Sequence, residues 1–398
     1  MKVLYLTHQY FPYFYTGTEL LTDNLSRYMR MLGVSTEVWA YNLNELKEDK
    51  IKRTNYKGIP VTFFSHHNKD FSRDWKFFRQ NSLKKDLISD LLKESKPDIL
   101  HVTHACRMGD IIEAVNKSGI PYIATLTDFW VLCPKASLIR NNGDLCSGPD
   151  RGNACGKYCF KNLGSQMTKR YRDIRDYLKE AAKVVYASNF LKNVFERNGI
   201  DTSNWVNIRH GYNPMEKRKR IKDNFYRFAF TGTLQPNKGA HLVIEAFKKI
   251  INKNARLAVY GEFKHSQKYS NYCLELAKED KRIEFRGKYD HTKLASEFAD
   301  IDCIVAPSNW FEPFPFTLTS AIAFGFEVIG SKIGGIPEII GEENTKSLFN
   351  PGDINDLSEK MALKLKKGKG SPSGLFYEQT VEGEAFKYFQ IYNYVLGK

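Results

Sequence analysis

The sequence predicts an α/β protein of two domains, each built on a parallel sheet with helices on both faces, and three observations carry this. The chain has 398 residues, more than one core usually organises and about what two domains of roughly 200 residues need. The order strand, glycine-bearing loop, helix occurs twice, from Lys2 and again from Phe228, and that is how a βαβ unit opens. The predicted strands are nearly unbroken apolar runs, as strands buried on both faces are.

In chain order, Lys2–Thr7 is the first strand and His8 to Glu19 the loop after it. Leu21, Leu25, Tyr28 and Leu32 repeat at helical spacing, so a helix runs from Leu20 to Leu32 and ends at Gly33. Ser35–Tyr41 is the next strand. From Lys69 to Lys96 basic residues interleave first with Phe71, Trp75, Phe77 and Phe78, then with Leu83, Leu87, Leu91 and Leu92. The leucine half reads as an ordinary surface helix, the aromatic half as a candidate for docking on anionic lipid headgroups. Pro97–Thr103 and Pro121–Leu126 are further buried strands, with His104 after one and Thr127-Asp128 after the other. Ligands sit at such strand ends in open α/β sheets. Val184–Ala187 is a strand, Ser188-Asn189 caps a helix beginning near Phe190, and Trp205–Ile208 is a short strand. The charged stretch Met215–Asn224 reads as a linker.

Beyond it, Phe228–Thr231 is followed by Gly232-Thr233-Leu234-Gln235-Pro236-Asn237-Lys238-Gly239 and a helix from Ala240 to Ile251. A lysine in a glycine-bounded loop before a helix suits a phosphate, adding a full charge to the amides. Arg256–Gly261 and Ile283–Gly287 are strands, and Lys288 and Tyr289 follow the second. Asp300-Ile301-Asp302 has the form of a metal triad, but at a helix-to-strand junction it reads as capping. The strand Asp302–Val305 then breaks at Pro307-Ser308-Asn309, passes Glu312 and enters a helix at about Phe316. The amides at that helix start form an anion site, and a carboxylate beside it can accept sugar hydroxyls. Glu327–Gly330 is the next strand, and Gly334-Gly335 allows a close backbone approach to the same ligand. Helices at Ile354–Lys367 and Val381–Leu396 close the chain.

Composition narrows the function classes. At 42% hydrophobic and 26% charged residues, disorder is excluded. No apolar run reaches about 18 residues and Met1-Lys2 leads straight into a strand, so neither a membrane span nor a signal peptide is expected and a cytoplasmic protein is. The net charge of +15 is spread over both halves, and without a finger, helix-turn-helix or RNP pattern it does not predict nucleic-acid binding. Cys133, Cys146, Cys155 and Cys159 cluster in a loop rich in Gly, Asn and Asp. In a reducing compartment such a cluster suggests a structural zinc; uncoordinated thiols and occasional disulfides remain alternatives. Cys106, Cys273 and Cys303 read as small buried residues.

Glu312, the loop around Lys238 and Gly334-Gly335-Ile336-Pro337-Glu338 together resemble the donor site of the GT-B glycosyltransferases, in particular the retaining family 4. The resemblance implies two Rossmann-like βαβ domains facing a central cleft. Residues 1–210 would bind the acceptor and 225–380 the nucleotide-sugar donor, with a terminal helix, about 381–398, crossing back to the first. It implies that Glu312 and Lys238 are catalytic and that Gly17, Thr18, Gly232, Thr233, Phe314, Phe316, Thr317 and Ser320 line the donor. His8, His104, Thr127 and Asp128 fall on the acceptor side, and the family's placement of the nucleotide base makes Lys288 and Tyr289 weaker candidates for nucleotide contacts. Ser320 stands where the family has its second carboxylate, Thr127 where it has histidine, Pro315 where it usually has glycine, and Thr233 where an arginine often lies. The implied reaction is a front-face displacement in which the leaving phosphate helps deprotonate the acceptor, so no dedicated base, catalytic metal or other cofactor is expected. The acceptor is a glycan, a lipid-linked glycan or a small molecule, which makes the inner face of the membrane a second expected location. The competing reading is a nucleotide-sugar-binding protein of the same fold that has lost its chemistry with Ser320 and Thr127.

Overall fold

A computed structural model describes the chain except residues 15, 42–49, 66–84, 215–220, 222, 264–265, 291–293, 370–374 and 376. It divides into two compact units, one of Met1–His210 with Val381–Lys398 and the other of Gly211–Thr380.

The first unit contains β1 (Lys2–Thr7), α1 (Gly17–Met31), β2 (Ser35–Tyr41), β3 (Lys50–Tyr56), β4 (Ile59–Ser65), α2 (Lys85–Ser95) and β5 (Ile99–Val102). It continues with α3 (Gly109–Lys117), β6 (Tyr122–Leu126), α4 (Asn153–Tyr158), α5 (Gly164–Glu180), β7 (Lys183–Tyr186), α6 (Asn189–Arg197) and β8 (Trp205–Asn207). Among the described residues the sheet order is β3-β4-β2-β1-β5-β6-β7-β8. All pairs are parallel except the edge pair β3 and β4. Apolar strands make the centre of the core: Val3, Leu4, Tyr5, Leu6, Ile99 and Leu100 have no exposed surface.

The second unit contains β9 (Tyr226–Thr231), α7 (Ala240–Lys248), β10 (Ala255–Tyr260), α8 (Gln267–Ala277), β11 (Ile283–Gly287) and α9 (Leu294–Glu297). Then come β12 (Cys303–Ala306), α10 (Phe316–Ala323), β13 (Glu327–Ser331), α11 (Ile336–Ile340), β14 (Leu348–Phe349) and α12 (Ile354–Lys367). Its described sheet is wholly parallel in the order β11-β10-β9-β12-β13-β14. The strand order reverses between β9 and β12, as it does in the first unit between β1 and β5. Loops leaving two such strands open a crevice at their carboxyl ends.

The last helix, α13 (Val381–Val395), packs on α1 in the first unit. Polar tyrosines fix it there. Tyr392 Oη lies 2.7 Å from His101 Nδ1 and 3.2 Å from Tyr5 Oη, His101 Nε2 lies 2.7 Å from Thr125 Oγ1, and Tyr388 Oη lies 2.9 Å from that same hydroxyl. His210 Nδ1 and Glu384 Oε1, both buried, are 3.0 Å apart.

Several sequence expectations need correction. Helix α1 starts at Gly17, so Gly17, Thr18 and Glu19 are its first turn and not loop. The cause is a Thr-x-x-Glu box, in which Glu19 Oε2 accepts from Thr16 N at 2.6 Å and Thr16 Oγ1 at 2.5 Å. Helix α7 ends at Lys248, leaving Ile251 fully exposed. The hairpin of β3 and β4 is not among the expected elements: Lys50–Tyr56 is polar, as an edge strand facing water can be, whereas Ile59–Ser65 is an apolar, buried run. Lys57 and Gly58, both left-handed at φ 48° and 86°, turn it. In α2, Ile88, Leu91 and Leu92 are buried while Leu87 is exposed; the aromatic half at 71–78, proposed for lipid docking, lies outside the described residues.

Candidate functional site

In the second unit the loops after β9 and β12 carry Lys238 and Glu312. Lys238 ends the 3-10 turn Pro236–Lys238. The next residue, Gly239, has φ +75°, and a Cβ there would lie 2.3 Å from Pro307 O, so only glycine lets the loops touch. Asn309 N donates to Asn237 O at 3.0 Å across the same seam. Lys238 Nζ then meets Glu312 Oε1 at 2.7 Å. Ser308 Oγ and Trp310 Nε1 donate to that oxygen at 2.6 and 2.8 Å. The three donors converge on Oε1, and none of them takes Oε2. The ammonium also lies 4.9 Å from the centroid of the Trp310 ring, a cation–π contact. Burial of Glu312 works against its ionisation, but the charge of Lys238 and the three hydrogen bonds prevail and hold its pKa below the ordinary 4.5.

The glycine pair packs against the backbone of Glu312. Gly334 has φ +63°, and a Cβ on it would lie 2.5 Å from Glu312 O and 2.6 Å from Glu312 N. Gly335 N donates to Glu312 O at 2.7 Å. Glu312 is therefore fixed by its backbone as well as by its side chain. Helix α10 begins three residues after Pro313, its N-cap Pro315 offering no side-chain cap to the first-turn amides. Thr317 and Ser320 are half-buried on it. Phe314 is buried, its ring 6.4 Å from that of Tyr377, so its side chain belongs to the interior. Gly232 and Thr233 are half-buried in the loop that leads to Lys238.

The first unit repeats the arrangement at its own reversal point. His8 follows β1 and His104 follows β5, with ring centroids 3.9 Å apart. His104 Nδ1 accepts from Cys106 N at 3.2 Å, so the neutral ring carries its proton on Nε2 and donates it to Asp128 Oδ2 at 3.2 Å. Asp128 Oδ1 accepts from Trp130 N at 2.7 Å. Thr18 Oγ1 donates to Thr127 Oγ1 at 3.0 Å, joining the start of α1 to the end of β6. His8 is pushed well below the ordinary histidine pKa by burial and by the neighbouring His104 and Arg107. Thr7 Oγ1, His8 Nδ1 and Glu19 Oε1 are buried without a hydrogen-bond partner among the described residues. Buried polar atoms so left are free to take a water, an ion or a ligand group. Glu19 and Arg107 were not singled out from the sequence; the capping box would have revealed the first, whereas nothing local marks Arg107.

Residues 213–372 match the model of glycosyl transferases group 1, and residues 15–216, half of the chain, match that of glycosyltransferase family 4. The chain belongs to glycosyltransferase family 4. An uncharacterized glycosyltransferase of Methanocaldococcus jannaschii is 24% identical over 91% of this chain and 87% of its own length. N-acetyl-alpha-D-glucosaminyl L-malate synthase of Bacillus anthracis is 25% identical over 70% of this chain and 68% of its own. Among solved structures, Anabaena HepE in complex with UDP and glucose superposes with a TM-score of 0.70 over 99% of both chains at 15% identity, a likeness of fold. The architecture of this family 4 glycosyltransferase is GT-B.

Other candidates fall away from these crevices. In this glycosyltransferase Asp300 and Asp302 are structural, though not as helix caps. Asp300 receives Arg286 at 3.0 and 2.8 Å and Arg227 at 3.2 Å, and Asp302 accepts from Arg227 N at 2.9 Å. Tyr289 is buried against Phe298, 5.0 Å between centroids, so its ring belongs to the core. Among the described residues no three His, Cys, Asp or Glu side chains stand close enough together to hold a metal ion. The four loop cysteines nonetheless line one small cavity. No described helix is long and apolar enough to cross a membrane.

Proposed function

We propose that the protein transfers a hexosyl or deoxyhexosyl group from a nucleoside-diphosphate sugar, with retention, to a hydroxyl of a glycan, lipid-linked or small-molecule acceptor in cell-surface polysaccharide or glycoconjugate synthesis. The observation that carries this reading is the Lys238–Glu312 pair at the reversal point of the second unit. A half-exposed ammonium is poised to exchange its carboxylate partner for a diphosphate oxygen. The amides of Phe316 and Thr317, at the positive end of α10, add to that stabilisation of the leaving group. Glu312, released in part from Lys238 and still held by Ser308 and Trp310, then offers Oε2 to donor-sugar hydroxyls.

In the reaction the bond from the anomeric carbon to the diphosphate oxygen breaks, the acceptor oxygen bonds to the same face, and the acceptor proton passes to the leaving phosphate. His104 does not suit the role of base, because Nδ1 is engaged by an amide and Nε2 holds the proton. It positions Asp128, whose carboxylate, with Thr127 and His8, is assigned to acceptor hydroxyls. The binding of UDP and glucose by Anabaena HepE, a protein of the same fold, supports a nucleotide-sugar donor here.

The experiment is a thermal-shift screen of UDP, GDP and dTDP, followed by donor hydrolysis without acceptor in the wild type and Lys238→Ala. Stabilisation by a diphosphate and turnover lost in the variant are expected. A chain that no nucleoside diphosphate stabilises would overturn the proposal; stabilisation without turnover of any donor would favour the binding protein instead.

A further inference from the structure

Between β6 and α5 the chain runs through residues 127–163 with little regular structure. It has one 3-10 turn, Asp150–Gly152, the short α4 and an isolated bridge between Ile139 and Leu145. Its local core is small, Cys155 and Met167 with Phe160 and Leu163 packed on them. Ala136, Leu138, Asp150 and Arg151 are non-glycine residues with φ between 47° and 59°, each costing about 1 kcal/mol or more. Phe129, Trp130, Val131, Leu132 and Leu138 are buried at its start, but from Ile139 to Leu163 only Pro149 and Cys155 are, glycines aside. A stretch with so little apolar burial and such backbone is held by something other than its own packing.

We propose that Cys133, Cys146, Cys155 and Cys159 bind a structural zinc ion that ties this segment together. All four line one cavity with room for about one water-sized guest. The backbone brings them there from two directions. The Ile139–Leu145 bridge places Cys146 N on Leu138 O at 2.7 Å, and the amides of Leu138 and Lys135 both donate to the Cys133 sulfur. Cys155 and Cys159 stand one turn apart, at i and i+4, on one face of α4 and its cap. Four thiolates around zinc carry a net charge of about −2, which a buried site must offset. The two amides on Cys133 do part of this, as second-shell donors do. The guanidinium of Arg170, buried and close enough to act on both Cys133 and Cys155, does more. Soft thiolates in tetrahedral number select zinc. The ligand set is not closed as it stands, since Cys146 Sγ points to Gly148 O at 3.4 Å. No three of the four sulfurs yet stand at metal-holding distance, so closure needs Cys146 and at least one other of these side chains to swing into the cavity, and the four thiols to release their protons to solvent as the metal binds.

The test is zinc content of the full-length chain by mass spectrometry, with cobalt substitution of the reduced, metal-stripped protein. About one zinc per chain and the visible bands of tetrahedral cobalt thiolate are expected. Cys146→Ser and Cys159→Ser should lose most of the metal, whereas Cys273→Ser, in the second unit, should keep it. Absence of zinc after reconstitution, unchanged content in the loop variants, or a disulfide among the four in reduced preparations would each overturn the proposal. Because the wild-type measurements need no variant, misfolding of a mutant cannot mask the result.

Discussion

Replacing Lys238 by alanine takes away the ammonium that meets Glu312 Oε1 at 2.7 Å and leaves the carboxylate 5% exposed. Removing one partner of a buried pair typically costs about 3–5 kcal/mol. The Lys238 side chain is 28% exposed and Ser308 and Trp310 remain on the same oxygen, so about 1–2 kcal/mol is expected here. At about 2–4 °C per kcal/mol for a domain of this size, melting falls by several degrees. The charge left behind is the cause, and Glu312→Gln in the same chain should therefore recover much of the loss, with a coupling of about 1 kcal/mol in the double-mutant cycle. Activity should follow another course. If Lys238 holds the leaving diphosphate, turnover falls by about 10²–10³, as when a preorganised oxyanion donor is lost, and Glu312→Gln does not restore it. Urea or thermal unfolding and hydrolysis of a nucleotide-sugar donor measure the two effects separately. Additive stabilities to within about 0.3–0.5 kcal/mol would show that the pair does not form, and unchanged turnover in Lys238→Ala would refute its role in the chemistry.

Gly334→Ala places a Cβ 2.5 Å from Glu312 O at φ +63°, so a loss of about 1–3 kcal/mol is expected in denaturant unfolding; a neutral result would show that the turn is not packed on Glu312. Burial lowers the His101 pKa from 6.5 to about 3. The folded chain thus stays neutral there while the unfolded chain takes up a proton, so stability is lost as pH falls from about 6.5 toward 3, by up to roughly 4 kcal/mol. His101→Gln should flatten that part of the pH dependence of unfolding, and an unchanged slope would refute it. In the family the carboxylate at this position grips the nucleotide ribose; a serine such as Ser320 can hold one ribose hydroxyl where a carboxylate can hold two, and the deoxyribose of dTDP has one to offer. Calorimetry should find dTDP binding at least as well as UDP, with Ser320→Glu shifting the preference to UDP; UDP or GDP binding far more tightly to the wild type would end that reasoning.

The sequence alone determined the fold class and put Lys238 and Glu312 on loops that lead into helices, because both are local properties. Apolar strands, glycine-bearing loops and helical spacing are each written within about ten residues, and the sheet follows once they alternate. Lys238 between its glycines and Glu312 before α10 were legible for the same reason. The sequence did not determine that these two side chains bind each other, that Gly334 presses on the backbone of Glu312, or that His8, His104 and Asp128 assemble at the first reversal point. Those contacts join residues from about 20 to nearly 100 positions apart, and only the strand order brings β1 beside β5 and β9 beside β12. The polar edge strand β3 was hidden because its partner and water, not its own pattern, define it. The return of α13 to the first unit was implied by the family resemblance, but the contacts that hold it were settled only in three dimensions, where Tyr388 and Tyr392 find His101 and Thr125 and satisfy buried polar atoms that no neighbour in sequence could reach.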